Sequence, residues 1–235
     1  SERRGSVTGV AASIVGDACA RIVVWFCRAL LRLRAEIRVE GVEQIPVSGP
    51  VVLASRHVHH ALDGAALLVV TPRRLHAMVA IDWARPGPPR WIVDRACRLL
   101  AWPTVLRPDH PGSARPDEAA RMLRRATREA VALLRDGQAL LVFPEGYPNI
   151  DPHWTPKPDF DAWLPFDAGF AQLARLAERT GASPSPIVPV GFHYRPGRRW
   201  RVVVRFGTPR LLPPDADLAA FVADVEACAR ALSAP

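Results

Sequence analysis

Short, wholly apolar runs alternate with longer amphipathic stretches along most of this chain. "PVVLAS" (50–55), "QALLV" (138–142) and "PIVPVGF" (186–192) are apolar at nearly every position. Runs this short and this continuous suit strands covered on both faces. Between them lie stretches with helical period. The clearest is "RPDEAARMLRRATREAVALLRDG" (115–137). Pro116, Asp117 and Glu118 suit a first helical turn and Gly137 suits the stop. Its Met122, Leu123, Ala126, Ala130, Leu133 and Leu134 fall on one face, while Arg121, Arg124, Arg125 and Arg128 lie mostly away from it and form a solvated surface. "DGAALLVV", "PPRWIVDRACRLLAW", "FDAGFAQLARLAERTG" and "DADLAAFVADVEACARAL" read as further helices. "EIRVEG", "RLHAMVAI", "PTVLR" and "RRWRVVVRFG" read as further strands. This alternation predicts an α/β fold, a largely parallel central sheet with helices on both faces. Ligands of such sheets bind at the carboxyl ends of strands.

The first 34 residues read differently. Val10 to Leu33 predicts one helix, interrupted by Asp17, Arg21 and Arg28, with no apolar span of the length needed to cross a bilayer. "RIVVWFCRALLRLR", with Trp25 and Phe26 between arginines, has the character of a helix lying in a membrane interface, and equally of a helix docked on the core. The expected division is an interfacial helical segment at 1–34 and one domain at 35–235. Net charge is +8, and Lys157 is the only lysine among the 31 basic residues. The excess favours anionic partners, meaning lipid headgroups, acyl carriers or nucleic acid. Four widely spaced cysteines without a C-x-x-C pair predict a reduced protein without a disulfide framework. No cleavable signal peptide is expected.

Chemistry-bearing residues gather at strand exits. "SRHVHHALDG" (55–64) follows the first fully apolar run and holds His57, His59, His60 and Asp63. A His–Asp pair suits general-base work, the carboxylate fixing the imidazole tautomer. His59 and Asp63 share a helical face at i,i+4; His57 reaches Asp63 only from a loop. His57-Val58-His59 is also a fragment of a metal site, but Ala61 and Leu62 stand where a metal-dependent hydrolase would place further ligands, and His76, His110, His153 and His193 form no second cluster. Histidines that merely end a strand are the third possibility. "FPEG" (143–146) sets Glu145 on a turn in which Gly146 permits close backbone approach. Arg107 follows a short strand, where a guanidinium can fork onto phosphate.

Taken in order, these blocks resemble the lysophospholipid (glycerolphosphate) acyltransferase superfamily, over roughly Val39 to Thr208. The family's catalytic Asp falls on Asp63 and its later Arg on Arg107. Its Phe-Pro-Glu-Gly falls on Phe143, Pro144, Glu145 and Gly146, and its Val-Pro-Val on Val188, Pro189 and Val190. "LPFDAGFAQLA" is similar to the family's "LPFKKGAFRLA".

The resemblance implies an O-acyltransferase. A fatty acyl group would move from acyl-CoA or acyl carrier protein to a hydroxyl of lysophosphatidate or a related lipid. His57 and Asp63, or His59 in its place, would be catalytic, and Arg107, Glu145 and Gly146 would bind substrate. It implies no metal or other cofactor, no nucleic-acid partner, and a peripheral or monotopic position on the cytoplasmic face of the cell membrane.

Two departures stand out. Five residues rather than four separate His57 from Asp63, so either the loop has grown by one or His59 has become the base. Tyr147-Pro148 replaces the family's Thr-Arg, and Asp167-Ala168 replaces its paired basic residues. Either Lys157 or His153 compensates at a phosphate, or the acceptor is a non-phosphorylated alcohol such as a carotenoid glycoside or glycolipid. A metal-dependent hydrolase and a non-catalytic lipid-binding protein of the same fold are the rival readings.

Overall fold

The computed structural model of the chain describes residues 2–107, 109–112 and 116–235. Pro108, beside Arg107, and Arg115, at the expected start of the long helix, lie outside these. A first helix, α1 (Glu2–Arg34), leads directly into β1 (Ala35–Glu40). There follow β2 (Val51–Ser55), α2 (Leu62–Val70), β3 (Leu75–Ala77), β4 (Val79–Ala80), α3 (Pro88–Leu99), β5 (Thr104–Val105) and α4 (Pro116–Arg135). The chain ends with β6 (Ala139–Val142), α5 (Gly169–Arg179), β7 (Ile187–Arg195), β8 (Trp200–Phe206) and α6 (Leu218–Leu232).

Six strands form one sheet in the order β1-β8-β7-β2-β6-β3. Every pairing is parallel except β7 with β8. The exception follows from the short link between them: a parallel return needs a crossover of a dozen residues or more, and only four residues separate Arg195 from Trp200.

β2 lies at the centre, and its alternate residues serve two cores. Val51 and Leu53 pack with Leu31 of α1 and with Ala65 and Ala66 of α2. Val52 and Ala54 pack with Ala130 and Leu134 of α4, Phe170 and Ala174 of α5, and Val225 and Ala229 of α6. That two-sided burial is why the strand is apolar at consecutive positions.

"RLHAMVAI", one strand by sequence, divides at Met78. Its first half pairs with β6 (Leu75↔Ala139), and its second leaves the sheet to pair with β5 (Val79↔Thr104). The small β4–β5 ladder delivers Asp82 and Arg107 side by side.

Candidate active site

The loop leaving β2 carries the histidines, and it is held from three sides. Arg56 N–H donates to Val190 O of β7 at 3.0 Å. His57 N–H donates to Glu145 Oε1 at 2.9 Å. The long segment after Gly146 adds a strand-like brace: Ile150 N–H donates to Val58 O at 2.8 Å and His60 N–H donates to Ile150 O at 3.1 Å. The extra residue between His57 and Asp63 is absorbed in this braced loop.

His57, in the loop, faces Asp63, in the first turn of α2: Nδ1 lies 2.9 Å from Oδ2. The Asp63 carboxylate is fully buried. Its Oδ2 also accepts Val58 N–H (2.6 Å) and His59 N–H (2.9 Å), and its Oδ1 accepts the Tyr194 hydroxyl (2.5 Å). An ionised carboxylate suits this cradle, because every contact is a donor and the helix N-terminus adds positive potential. The His57 ring stacks on Phe143, with centroids 4.0 Å apart. With Nδ1 committed to Asp63, Nε2 is the nitrogen left for a substrate proton.

His59 turns elsewhere. Its Nδ1 accepts the N–H groups of Ala61 (3.2 Å) and Leu62 (3.4 Å), which places it at the start of α2. Burial pushes its pKa below the usual histidine value, in keeping with a neutral acceptor. Its link to Asp63 runs through its backbone, not its ring. His60 is exposed and its Nδ1 lies 3.2 Å from Ile150 O. Among the described residues no group of three or more His, Cys, Asp or Glu is gathered as a metal ligand set.

Glu145 sits in a turn closed by Gly146 N–H donating to Phe143 O (2.9 Å), with Pro144 in the position such turns favour and Gly146 at φ +71°. Its Oε2 accepts Leu164 N–H at 3.2 Å and Lys157 Nζ at 2.6 Å. Lys157 also donates to His57 O (2.9 Å) and Asn149 Oδ1 (3.1 Å). The lysine expected from sequence as a stand-in at a phosphate is instead an internal strut. Burial draws its pKa down while Glu145 opposes the shift. His153, the other candidate, is exposed and stacks on Trp83 at 6.1 Å.

Arg107, expected to fork onto phosphate, forks onto Asp82. Its Nε donates to Oδ2 at 2.8 Å, its second terminal nitrogen to Oδ1, and its main-chain N–H to Oδ2 at 2.9 Å. The remaining terminal nitrogen reaches Gly146 O at 2.7 Å, and the guanidinium lies 4.1 Å over the Tyr147 ring. Burial would raise the pKa of Asp82, but Arg107 holds it below the usual carboxylate value.

Asp82 and Tyr194 escaped the sequence reading, yet each left a signal. Asp82 directly follows the apolar run "AMVAI", the same strand-exit position that marked His57. Tyr194 shares the inward face of β7 with Val190 and Phe192, where a hydroxyl needs a buried partner.

A family model described as acyltransferase matches residues 36–193. A solved structure, the 1-acyl-sn-glycerophosphate (LPA) acyltransferase PlsC from Thermotoga maritima, superposes with a TM-score of 0.61 at 22% identity, covering 90% of this chain and 77% of that one. That likeness concerns the fold. No curated protein matches the chain.

Proposed function

Because the chain belongs to the acyltransferase family, within the lysophospholipid acyltransferase superfamily its motifs resemble, we propose that it moves a fatty acyl group from a thioester donor to the hydroxyl of a lysophosphatidate-like lipid, with His57 as general base. The observation that carries this is the His57–Asp63 pair at 2.9 Å, with Nδ1 bound and Nε2 available. Nε2 takes the proton of the acceptor hydroxyl as its oxygen attacks the thioester carbon. Asp63 keeps the imidazole in the required tautomer and stabilises the imidazolium. Collapse of the tetrahedral intermediate breaks the C–S bond, and the imidazolium returns the proton to the thiolate. Acyl-CoA and acyl carrier protein both fit as donor, and the step calls for no further cofactor.

Glu145, Gly146 and Arg107 serve this step by positioning. Glu145 fixes the main chain of His57, and Arg107 fixes the turn that carries Glu145. His59 caps α2.

We place the enzyme peripherally on the cytoplasmic membrane face. Two helices support this. On α1, Ile22, Trp25, Phe26 and Leu33 are exposed. α3 is inverted: Arg90 and Asp94 point inward, while Trp91, Ile92 and Leu99 face out beside Arg95. Aromatic and aliphatic groups interleaved with arginine suit an anionic lipid interface. Among the described residues no helix is long and apolar enough to cross a membrane.

The test is release of thiol from palmitoyl-CoA in the presence of lysophosphatidate, with phosphatidate identified by mass spectrometry. His57→Ala and Asp63→Ala should each lower the rate by about 10²- to 10⁴-fold, and His59→Ala by much less. Full activity in Asp63→Ala would overturn the dyad.

A further inference from the structure

Arg56 is the charged residue that the mechanism does not use. It is 7% exposed, and its Nε is enclosed without a hydrogen-bond partner. Its guanidinium lies 4.1 Å over the Trp163 ring and, among the described residues, forms no ion pair. A guanidinium this buried is ordinarily paired. The neighbouring carboxylates are spoken for. Glu145 is taken by Lys157 and the N–H groups of His57 and Leu164. Asp63 is taken by His57, Tyr194 and two further N–H groups. Asp161 is exposed and unpaired with it. Arg230 shares the Trp163 ring at 4.4 Å but carries its own counter-ion, Glu226, at 2.8 Å.

Glu145, Asp63 and Asp161 all act on the Arg56 charge from nearby, but none of them is hydrogen-bonded to its guanidinium, which stands directly before the proposed base in sequence. The two are tied structurally as well. Glu145 bonds both His57 N–H and Leu164 N–H, and Leu164 follows the ring on which Arg56 rests. The turn after Glu145 brings no cation of its own, since Tyr147 and Pro148 follow Gly146.

We infer that Arg56 is the anion-reading group of this site, its fork receiving a phosphate monoester of a substrate. The inference rests on the acyl-transfer reading and deepens it. A planar fork matches two phosphate oxygens, and a buried guanidinium with no hydrogen-bonded carboxylate gains most from such a partner. The phosphate belongs either to the acceptor's headgroup or to the donor's carrier.

Calorimetric titration of the full chain separates these sources, with inorganic phosphate, sn-glycerol 3-phosphate and adenosine 3′,5′-bisphosphate as probes. One of the two organic phosphates should bind. Arg56→Gln should weaken it by about ten- to a hundredfold, the scale of a hydrogen bond to a charged group. Arg56→Lys, which keeps the charge and the bulk, should fall between. A response to sn-glycerol 3-phosphate assigns the acceptor, and a response to the bisphosphate assigns the donor.

Arg230→Gln should leave binding unchanged. Equal affinity in wild type and both Arg56 variants would overturn the inference. So would binding of inorganic phosphate alone, no binding of any probe at millimolar concentration, or an equal loss in Arg230→Gln. Binding is read without turnover, so an inactive protein that still binds through Arg56 would count against acyl transfer and not against the anion site.

Discussion

Lys157 Nζ lies 2.6 Å from Glu145 Oε2, and neither side chain has exposed surface. The same ammonium bonds the carbonyl of His57, and the same carboxylate bonds its N–H. One buried ion pair thus clasps both ends of the residue proposed as base. It also ties the long segment after Gly146 to the sheet.

Breaking that pair from one side leaves a buried charge without its partner, which costs about 3–5 kcal/mol. Lys157→Met should lower the unfolding free energy on that scale in urea titrations. Lys157→Met combined with Glu145→Gln should recover much of it, because glutamine still accepts His57 N–H through its carbonyl. An additive double variant would show that the two side chains do not act as a pair.

Tyr194→Phe removes the donor to Asp63 Oδ1 and leaves the other Asp63 contacts in place. An acceptor left unsatisfied in the interior costs about 1–3 kcal/mol. The expected signature is lower stability with a fall in kcat and a nearly constant KM, since Tyr194 reaches the reaction only through Asp63. A change confined to KM would assign the hydroxyl to substrate binding instead.

Arg107→Lys keeps the charge but cannot bond both Asp82 oxygens and the Gly146 carbonyl at once. The Phe143–Gly146 turn should loosen and His57 shift with it. Misplacement by about 1 Å can cost up to about a hundredfold in rate. Steady-state kinetics beside a circular-dichroism melt would separate this from unfolding.

Acid should destabilise the fold through its buried histidines. His76 is 3% exposed, its Nδ1 lies 3.1 Å from Ala101 O, and burial holds its pKa below the ordinary histidine value of 6.5. Between that lowered value and 6.5 the unfolded chain binds the proton that the folded chain refuses, so stability rises with pH across this window and is lost on acidification. His76→Gln should flatten the dependence of the urea midpoint between pH 7.5 and 5.5. It should not abolish it, because burial lowers the pKa of His59, His110 and His193 as well. An unchanged slope would exclude His76 as a contributor.

Much of the architecture is legible in the linear pattern. Consecutive apolar residues in β2 and β6 announce strands covered on both faces, and the punctuation of α4 by Pro116 and Gly137 announces a helix. The division of "RLHAMVAI" is not legible, because both halves are equally apolar and only the position of Pro103 and Val105 draws the second half out of the sheet. The strand-exit positions of His57, Glu145 and Arg107 were likewise readable, since the carboxyl edge of a parallel sheet is where its loops converge.

Partners are another matter. By spacing alone, His59 and His57 were both candidates to face Asp63, and Arg107 was free to meet a phosphate. The choice fell to groups distant in sequence. Ile150 braces the loop so that the His57 ring meets Asp63, while Asp82, 25 residues from Arg107, occupies its fork. Local periodicity determined which residues lie at the sheet's edge, because burial on two faces is a property of neighbours along the chain. Which charges pair there, and that Arg56 makes no hydrogen-bonded ion pair among the described residues, was decided only by tertiary packing, because a buried charge takes whichever partner the fold brings within hydrogen-bond reach.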